Sequence, residues 1–270
     1  MDTAAVLAAY DRQLRQSIPA LGPGWLVERL DRVVRLTSPA GGGWGDGVVW
    51  SDLDEHSADE EIAAAIAYFG GLGRTLEWKY HGYDRPPGLP ERLLAAGFEA
   101  EPRETLVAGE VEEVLARCGD AKPPSGVTLR RLREDPEGRR ADWDAIAALH
   151  TEVFEKEAGA LVHEVAAAHA AAPEAMSVYL AEADDGRVVC AARMELAVGT
   201  DFASLWGGGT LREFRRRGIY RALVALRAAE AKDRGFRYLQ VDASDDSRPI
   251  LERLGLHVLT TTTPYVWSPA

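Results

Sequence analysis

The spacing of apolar and polar positions divides the chain into a series of helices and strands that runs its course twice. Residues 2–16 keep helical spacing. RVVRLTS (32–38) and VVWSDL (48–53) alternate as strands on either side of the glycine-rich turn GGGWGDG (41–47). A helix is predicted over 58–70, then a strand RTLEWKYHG (74–82), a short helix opened by Pro90 (LPERLLAAG) and a strand ETLVAG (104–109). CGDAKPPSG (118–126) has the composition of a linker. Beyond it the pattern restarts with a strand VTLRRL (127–132) and helices ADWDAIAALHTEVF (141–154) and LVHEVAAAHAAA (161–172). Strands SVYLAEA (177–183) and RVVCAARMEL (187–196) flank the hairpin turn Asp185-Gly186. The chain closes with a strand FASLWGGGTL (202–211), a long helix to about Arg234, a strand RYLQVDAS (237–244), a helix RPILERLG (248–255) and a strand VLTTTTPYVW (258–267).

The two runs share a local signature. TLEWKY leads to a proline-opened helix, Pro90 to Ala96, closed by Gly97-Phe98 and followed by a strand. YLQVDA leads to Pro249 to Leu254, closed by Gly255-Leu256 and again a strand. Proline at the start and glycine past the end is common to many helices. The matching order of elements around it predicts a duplication: one domain over 1–117, a linker over 118–126 and a second domain over 127–270.

Composition narrows the class. The 270 residues are 46% hydrophobic with a formal charge of -12, so the long-range field disfavours nucleic acid and anionic membranes. Cys118 and Cys190 lack metal-ligand spacing and read as reduced thiols of a cytoplasmic protein, and the six histidines show no metal motif, so no metal is expected. The start MDTAAVLAAYDRQLRQ has no signal-peptide layout, and no apolar run approaches the ~20 residues of a membrane span.

Against that acidic background, REFRRRGIYRAL (212–223) sets four arginines in six residues before a glycine. A phosphate site, a solvated basic face and a nucleic-acid patch all use such residues. The stretch lies between a strand ending at Leu211 and a helix whose apolar stripe is Ile219, Leu223 and Leu226, filled by Ala222 and Ala229. A glycine at a helix N-terminus lets phosphate oxygens approach free N–H groups, and Arg215, Arg216 and Arg217 add fixed charge. The strand-to-helix setting favours a small phosphate-bearing ligand. Neither GxxxxGK[ST] nor GxGxxG occurs.

Arg215-x-x-Gly218-x-Tyr220 resembles the acetyl-coenzyme A loop of the GCN5-related N-acetyltransferase (GNAT) family, Arg/Gln-x-x-Gly-x-Gly/Ala. The surrounding strand, loop, long helix, strand and short helix ending in Leu254-Gly255-Leu256 match it over about residues 126–268. The first half, about 28–110, resembles a degenerate copy, as in tandem actinobacterial members. The resemblance implies an α/β fold of two GNAT-like domains, each a mixed, mostly antiparallel sheet flanked by helices. It implies acetyl-coenzyme A as cosubstrate and acetyl transfer to a small-molecule acceptor, an amine by family habit. The alternative is a non-catalytic coenzyme A sensor or scaffold.

By the same resemblance, Thr210 and Leu211 on a splayed strand would hold the pantetheine arm through the main chain, with Gly207 to Gly209 permitting a bulge or close approach. Arg215, Arg216, Arg217, Gly218, Ile219 and Tyr220 would cradle the pyrophosphate. Tyr220 departs from the small residue expected there, so its ring must point away or lie across the ligand as a wall. The customary glutamate is missing between Ala203 and Leu211, and the customary tyrosine position holds Leu251. Substitute proton-transfer groups are Asp242, Ser244, Glu195 and Tyr265. Each also has a plain reading: a turn cap for Asp242 and Ser244, an exposed strand residue for Glu195, core for Tyr265. Trp206, His150 and Phe154 could line an acceptor pocket, with a core position an equal alternative for His150 and the favoured one for Phe154; Trp44, Trp50 and Trp78 read as core rather than as a ligand cage. In the first half the corresponding loop, HSADEEIA (56–63), carries Asp59, Glu60 and Glu61, which would repel a pyrophosphate, so that copy is expected to bind no coenzyme.

Overall fold

The computed structural model describes residues 1–19, 21, 23–39 and 45–269. The chain forms two compact units, one of residues 2–107, 242–249 and 258–270, the other of residues 1, 108–241 and 250–257. Trp44 and most of the turn GGGWGDG lie outside the described residues.

The first unit opens with α1 (Thr3–Tyr10), whose free N–H groups at Ala4 and Ala5 are taken by the Asp2 carboxylate at 3.0 and 3.1 Å. It continues as a π-helical turn, Asp11–Gln16. Strands β1 (Leu26–Arg29), β2 (Val33–Thr37) and β3 (Gly47–Ser51) form an antiparallel meander. Helix α2 (Ala58–Gly71) carries the chain to β4 (Leu76–His81), which lies parallel to β3. Then come α3 (Leu89–Ala95), the short β5 (Glu99–Ala100) and β6 (Glu104–Glu110). Phe69, Leu76, Trp78, Leu89 and Leu93 make the core, whereas Trp50 is only half-buried.

The second unit begins with α4 (Val111–Cys118), a helix the sequence pattern did not announce because eight residues are too few to establish a period. Its buried Val111, Val114 and Cys118 recur at i, i+3 and i+7. After β7 (Val127–Arg131) comes α5 (Pro136–Phe154), which starts five residues before the predicted boundary because Asp135 caps the Gly138 N–H at 2.7 Å and Pro136 takes the first position. Next follow α6 (Gly159–Ala171), β8 (Met176–Ala183), β9 (Val188–Leu196) and β10 (Phe202–Thr210). The chain ends with α7 (Ile219–Asp233), β11 (Tyr238–Ala243), α8 (Arg248–Arg253) and β12 (His257–Trp267). The sheet of this unit runs β11-β10-β9-β8-β7, antiparallel except for the β10–β11 pair.

From Val258 onward β12 belongs to the first unit. It pairs antiparallel with β4 from Thr262↔His81 to Trp267↔Leu76 and also holds β5 through Tyr265↔Ala100 and Val266↔Glu99. Tyr265 is buried there, edge-on to Tyr80.

The duplication is visible in bond geometry. Gly97 and Gly255 both take φ 91°, and in each case the next residue closes the helix: Phe98 N–H to the Leu93 carbonyl, Leu256 N–H to the Leu251 carbonyl, both at 3.1 Å. Each copy also contains a parallel β-α-β unit, β3-α2-β4 and β10-α7-β11. One expectation is corrected. The buried face of α7 is Ile219, Ala222, Leu223, Val224, Arg227, Ala228, Glu230 and Ala231, while Leu226 and Ala229 are exposed. Two charged residues occupy positions that an apolar stripe would have filled, so the sequence pattern placed the face one step too far round the helix.

Candidate coenzyme and acceptor site

Strand β10 parts from β11 partway along its length. Phe202, Ala203 and Ser204 pair with Tyr238, Leu239 and Gln240, and that register ends at Ser204↔Gln240. From Leu205 to Thr210 the strand is registered on β9 alone, so this stretch has lost its neighbour on the β11 side. The β9 register itself skips between Trp206↔Arg193 and Gly209↔Ala191, so Gly207 and Gly208 face a single residue.

Each face of this bulge is fixed by a side chain. From α5, His150 Nε2 lies 3.0 Å from the Gly207 carbonyl oxygen. A carbonyl only accepts, so Nε2 donates and the neutral ring keeps its lone pair on Nδ1. From α7, the Tyr220 ring lies against Gly208, where a Cβ would come within 2.8 Å of Cε2. Gly207 has φ 59°, a left-handed conformation open to glycine at little cost. Burial, helped by the nearby Arg193 charge, pushes His150 down to about 4. The unfolded chain therefore binds a proton that the folded one refuses between about pH 6.5 and 4, and stability drops as pH falls through that window. The shift corresponds to about 3 kcal/mol. Chemical denaturation of wild type and His150→Gln at pH 7 and pH 4.5 checks it: the wild type should lose more than the variant by that margin, and equal losses would contradict the neutral, buried ring.

The arginine loop follows directly. Arg212–Phe214 makes one tight turn, Arg215 is extended, Arg216 takes φ 61° and Gly218 takes φ 86° as the residue that caps α7. A non-glycine residue in the left-handed region costs of order 1 kcal/mol. Left-handed residues at alternate positions turn the main-chain N–H groups toward one side, the geometry of an anion nest, at the positive end of a helix dipole. Residues 215–218 are exposed and nothing lies within 4 Å of a Cβ placed on Gly218. Arg215 Nε is tethered to the Thr210 carbonyl at 3.0 Å, and Arg217 stacks on Phe214 with 5.0 Å to the ring centroid. Neither Arg216 nor Arg217 has an ion-pair partner among the described residues, whereas the adjacent Glu213 is taken by Arg187 at 2.9 Å. The loop thus presents uncompensated positive charge around free main-chain donors.

Tyr220 takes the first of its two expected courses and turns inward, away from the exposed loop. Burial raises the pKa of its hydroxyl, and the Arg227 guanidinium beside it opposes the rise. Arg227 is 1% exposed, with Nε on the Leu223 carbonyl at 3.1 Å and Nη1 on the Arg193 carbonyl at 3.2 Å. Ile219 is buried in the first turn of α7. The Leu211 N–H is occupied by the Val189 carbonyl at 3.0 Å and the Thr210 hydroxyl lies 3.0 Å from Cys190 Sγ. Both main-chain groups of Leu211 are thus engaged, since its carbonyl accepts from the Phe214 N–H at 2.9 Å, and the Arg215 N–H is on the Arg212 carbonyl at 3.3 Å, whereas the N–H groups of residues 216–218 have no main-chain acceptor among the described residues.

Beside the bulge is an apolar pocket, open to solvent. α5 and α6 form one wall through Trp143, Ile146, Val162 and Val165; Val178 and Arg193 rise from the sheet, and His150 and Gly207 connect the pocket to the bulge. Phe154 is 52% exposed near its rim, contrary to the core position expected for it. It ends α5, where the left-handed Glu155 turns the chain away and leaves the ring edge-on to His150. Trp206 lies beyond Arg193, with the guanidinium 5.8 Å from its ring centroid.

The four candidate proton-transfer groups are not brought together. Asp242 is buried in the first unit, where its Oδ2 meets Lys79 Nζ at 3.0 Å and its Oδ1 accepts from the Thr262 hydroxyl at 2.9 Å; Glu104 approaches the same ammonium at 3.7 Å. Burial disfavours the Lys79 charge, but the carboxylates of Asp242, Glu77 and Glu104 hold its pKa above the usual range. Tyr265 is core of the same unit. Ser244 is exposed and paired with Ser247 across a turn at 3.2 Å. Of the four, Glu195 touches a residue of the pocket wall, its Oε1 accepting from Arg193 Nε at 3.0 Å. Arg193 itself went unremarked in the sequence. Its one signal was a cation set between buried neighbours in VVCAARMEL.

In the first unit the loop ahead of α2 is closed from within. Asp54 Oδ1 accepts from the N–H groups of His56 and Ser57 at 2.9 and 2.8 Å, and those bonds bring its pKa down to about 2. Asp59 and Glu55 grip Arg92, both at 2.6 Å.

No protein-family model matches the sequence, and no curated protein does. Solved structures do match in fold. A GCN5-related N-acetyltransferase from Kribbella flavida superposes with a TM-score of 0.62 at 20% identity, over 99% of this chain and 94% of its own. A functionally unknown conserved protein from Staphylococcus epidermidis reaches 0.68 at 12% identity, over 90% and 93%. A tandem GNAT protein from the clavulanic acid biosynthesis pathway reaches 0.56 at 15% identity, over 92% and 84%. The chain has the fold of the tandem GNAT proteins: a mixed, mostly antiparallel α/β architecture, present twice. Among the described residues no helix is long and apolar enough to cross a membrane.

Proposed function

We propose that the second unit transfers an acetyl group from acetyl-coenzyme A to a small amine acceptor. The observation that carries this is the arginine loop: two left-handed residues, Arg216 and Gly218, stand at the head of a 15-residue helix, and neither Arg216 nor Arg217 has an ion-pair partner among the described residues. The pyrophosphate would lie on the main chain of 215–218 under Arg216 and Arg217. The pantetheine arm would run along β10 from Thr210 toward Leu205, where β11 no longer covers the strand. The reaction needs mainly positioning: the amine nitrogen bonds to the thioester carbonyl carbon, the C–S bond breaks, and the thiol and one proton are released. The first unit would bind no coenzyme, since Asp54 already supplies the anion at the head of α2. The sequence division at 1–117 and 127–270 would then mark two copies of one ancestral domain, with the last strand of the second copy built into the unit of the first.

A non-catalytic coenzyme sensor is the second possibility, favoured by the structural engagement of Asp242, Tyr265 and Ser244. Thiol release from acetyl-coenzyme A on a panel of amines separates the two. Steady turnover with a mass gain of one acetyl group on the acceptor is the expected result; coenzyme binding without turnover on any amine would leave a sensor.

A further inference from the structure

The pocket beside the bulge has a composition that selects among amines. Its walls are aliphatic and aromatic, and it opens to solvent, so that a side chain could enter from its mouth. Its one cation is Arg193, whose side chain is 14% exposed and whose Nε is committed to Glu195. The two terminal nitrogens of Arg193 make no hydrogen bond among the described residues, so the end of the guanidinium fork remains open for a planar anion. Trp206 flanks the guanidinium at 5.8 Å. His150 is committed to Gly207 through Nε2 and is neutral, so it does not compete for an anion. Glu195 stands two residues along the same strand and so on the same face, with one carboxylate oxygen not engaged by Arg193. The cation in the wall of this apolar cavity thus has an anion beside it on the same strand.

Resting on acetyl transfer at this site, we infer that the acceptor is an apolar α-amino acid bound as its zwitterion, with its side chain in the pocket, its carboxylate on the free end of Arg193 and its ammonium at Glu195. A polyamine would meet apolar walls and leave Arg193 unmatched. An apolar amine without a carboxylate would fill the cavity but leave the guanidinium fork empty. For transfer, the ammonium gives one proton to the Glu195 carboxylate, and the freed nitrogen pair bonds to the thioester carbonyl carbon. The C–S pair leaves with sulfur, which is protonated to the thiol. The second nitrogen proton is lost as the amide forms, and Glu195 returns its own to water. Glu195 is here the proton acceptor, and Arg193 fixes the orientation of the acceptor.

Calorimetry of leucine, leucinamide, 4-methylpentanoate and spermidine on the full chain tests the binding, with thiol release on the same compounds reading transfer. Leucine should bind, and leucinamide and 4-methylpentanoate, each lacking one charged group, should bind about tenfold or more weaker, the worth of one charge-assisted hydrogen bond. Arg193→Met should weaken leucine by a similar factor and leave leucinamide unchanged. Leu161→Asp, on the exposed rim and safe for folding, should weaken both. Equal affinity for leucine and leucinamide, turnover of spermidine in preference to leucine, or no binding of leucine to a folded wild type would overturn the assignment. Transfer to other amines with no leucine binding sinks only the acceptor class. Leucine binding with the stated dependence and no thiol release sinks acetyl transfer and leaves the amino-acid pocket standing.

Discussion

Reversing two charges with Arg216→Glu, Arg217→Glu should abolish measurable binding of acetyl-coenzyme A while leaving the fold intact. Each arginine can give charge-assisted hydrogen bonds to a pyrophosphate, worth about 1.5–3 kcal/mol apiece. Removing two and adding two negative charges beside the same phosphates should cost roughly a hundredfold in affinity or more. The melting temperature should hardly move, because both side chains are exposed and neither has an ion-pair partner among the described residues. Replacing Gly218 with valine should also impair binding, by a different route: its φ of 86° is unfavourable for any branched side chain, and the helix head would have to reshape. Calorimetric titration, paired with thermal melts, reads both effects. Undiminished affinity in a folded double variant would leave the arginines as a basic face and remove the ground for acetyl transfer.

Deleting residues 258–270 should unfold the first unit, although those residues lie at the far end of the chain. The segment supplies six registered positions against β4, from Thr262 to Trp267, and two against β5. It buries Tyr265 in the same core as Trp78 and Phe69, and Thr262 holds the Asp242 carboxylate that pairs with Lys79. A fully buried large side chain contributes about 1.5–3 kcal/mol, and stripping a partner from a buried ion network costs several more. Together these rival the roughly 5–15 kcal/mol that keeps an ordinary domain folded. Hydrogen exchange on the truncated chain should show β3, β4 and α2 losing protection. Full protection of β4 after truncation would mean that the strand is dispensable and that the unit is held by its own residues alone.

Much of the architecture was legible from period and punctuation. The strands from β7 to β11, the helix after Gly218 and the paired Pro-helix-Gly signatures follow from local rules that act over a few residues: alternation, a proline at a helix start, a left-handed glycine at its end. The arginine loop was legible for the same reason, since a strand, a glycine and a helix in succession fix where free N–H groups must point. The local chain also carried the acidic loop before α2, where the Asp54 carboxylate accepts from the His56 and Ser57 N–H groups.

Tertiary structure decided what no local rule reaches. Asp242 and Glu195 are both acidic residues on strands, and only packing put the first against Lys79 inside one unit and the second beside Arg193 at an open pocket. Arg227 and Glu230 break the apolar stripe of α7 because the Arg193 carbonyl, the Ser177 and Tyr179 hydroxyls and the Arg131 guanidinium, brought in by other strands, give them buried partners. Phe154, apolar and in register with its helix, lies half outside because the chain turns at Glu155 before anything can cover it. The sequence by itself determined the order of the elements and the arginine loop at the head of α7, because these depend on neighbours along the chain. The destination of the last strand, the separate surroundings of Asp242, Ser244, Glu195 and Tyr265, and the pairing of Arg193 in the pocket wall with Glu195 depend on neighbours across space, and only the folded chain brings those together.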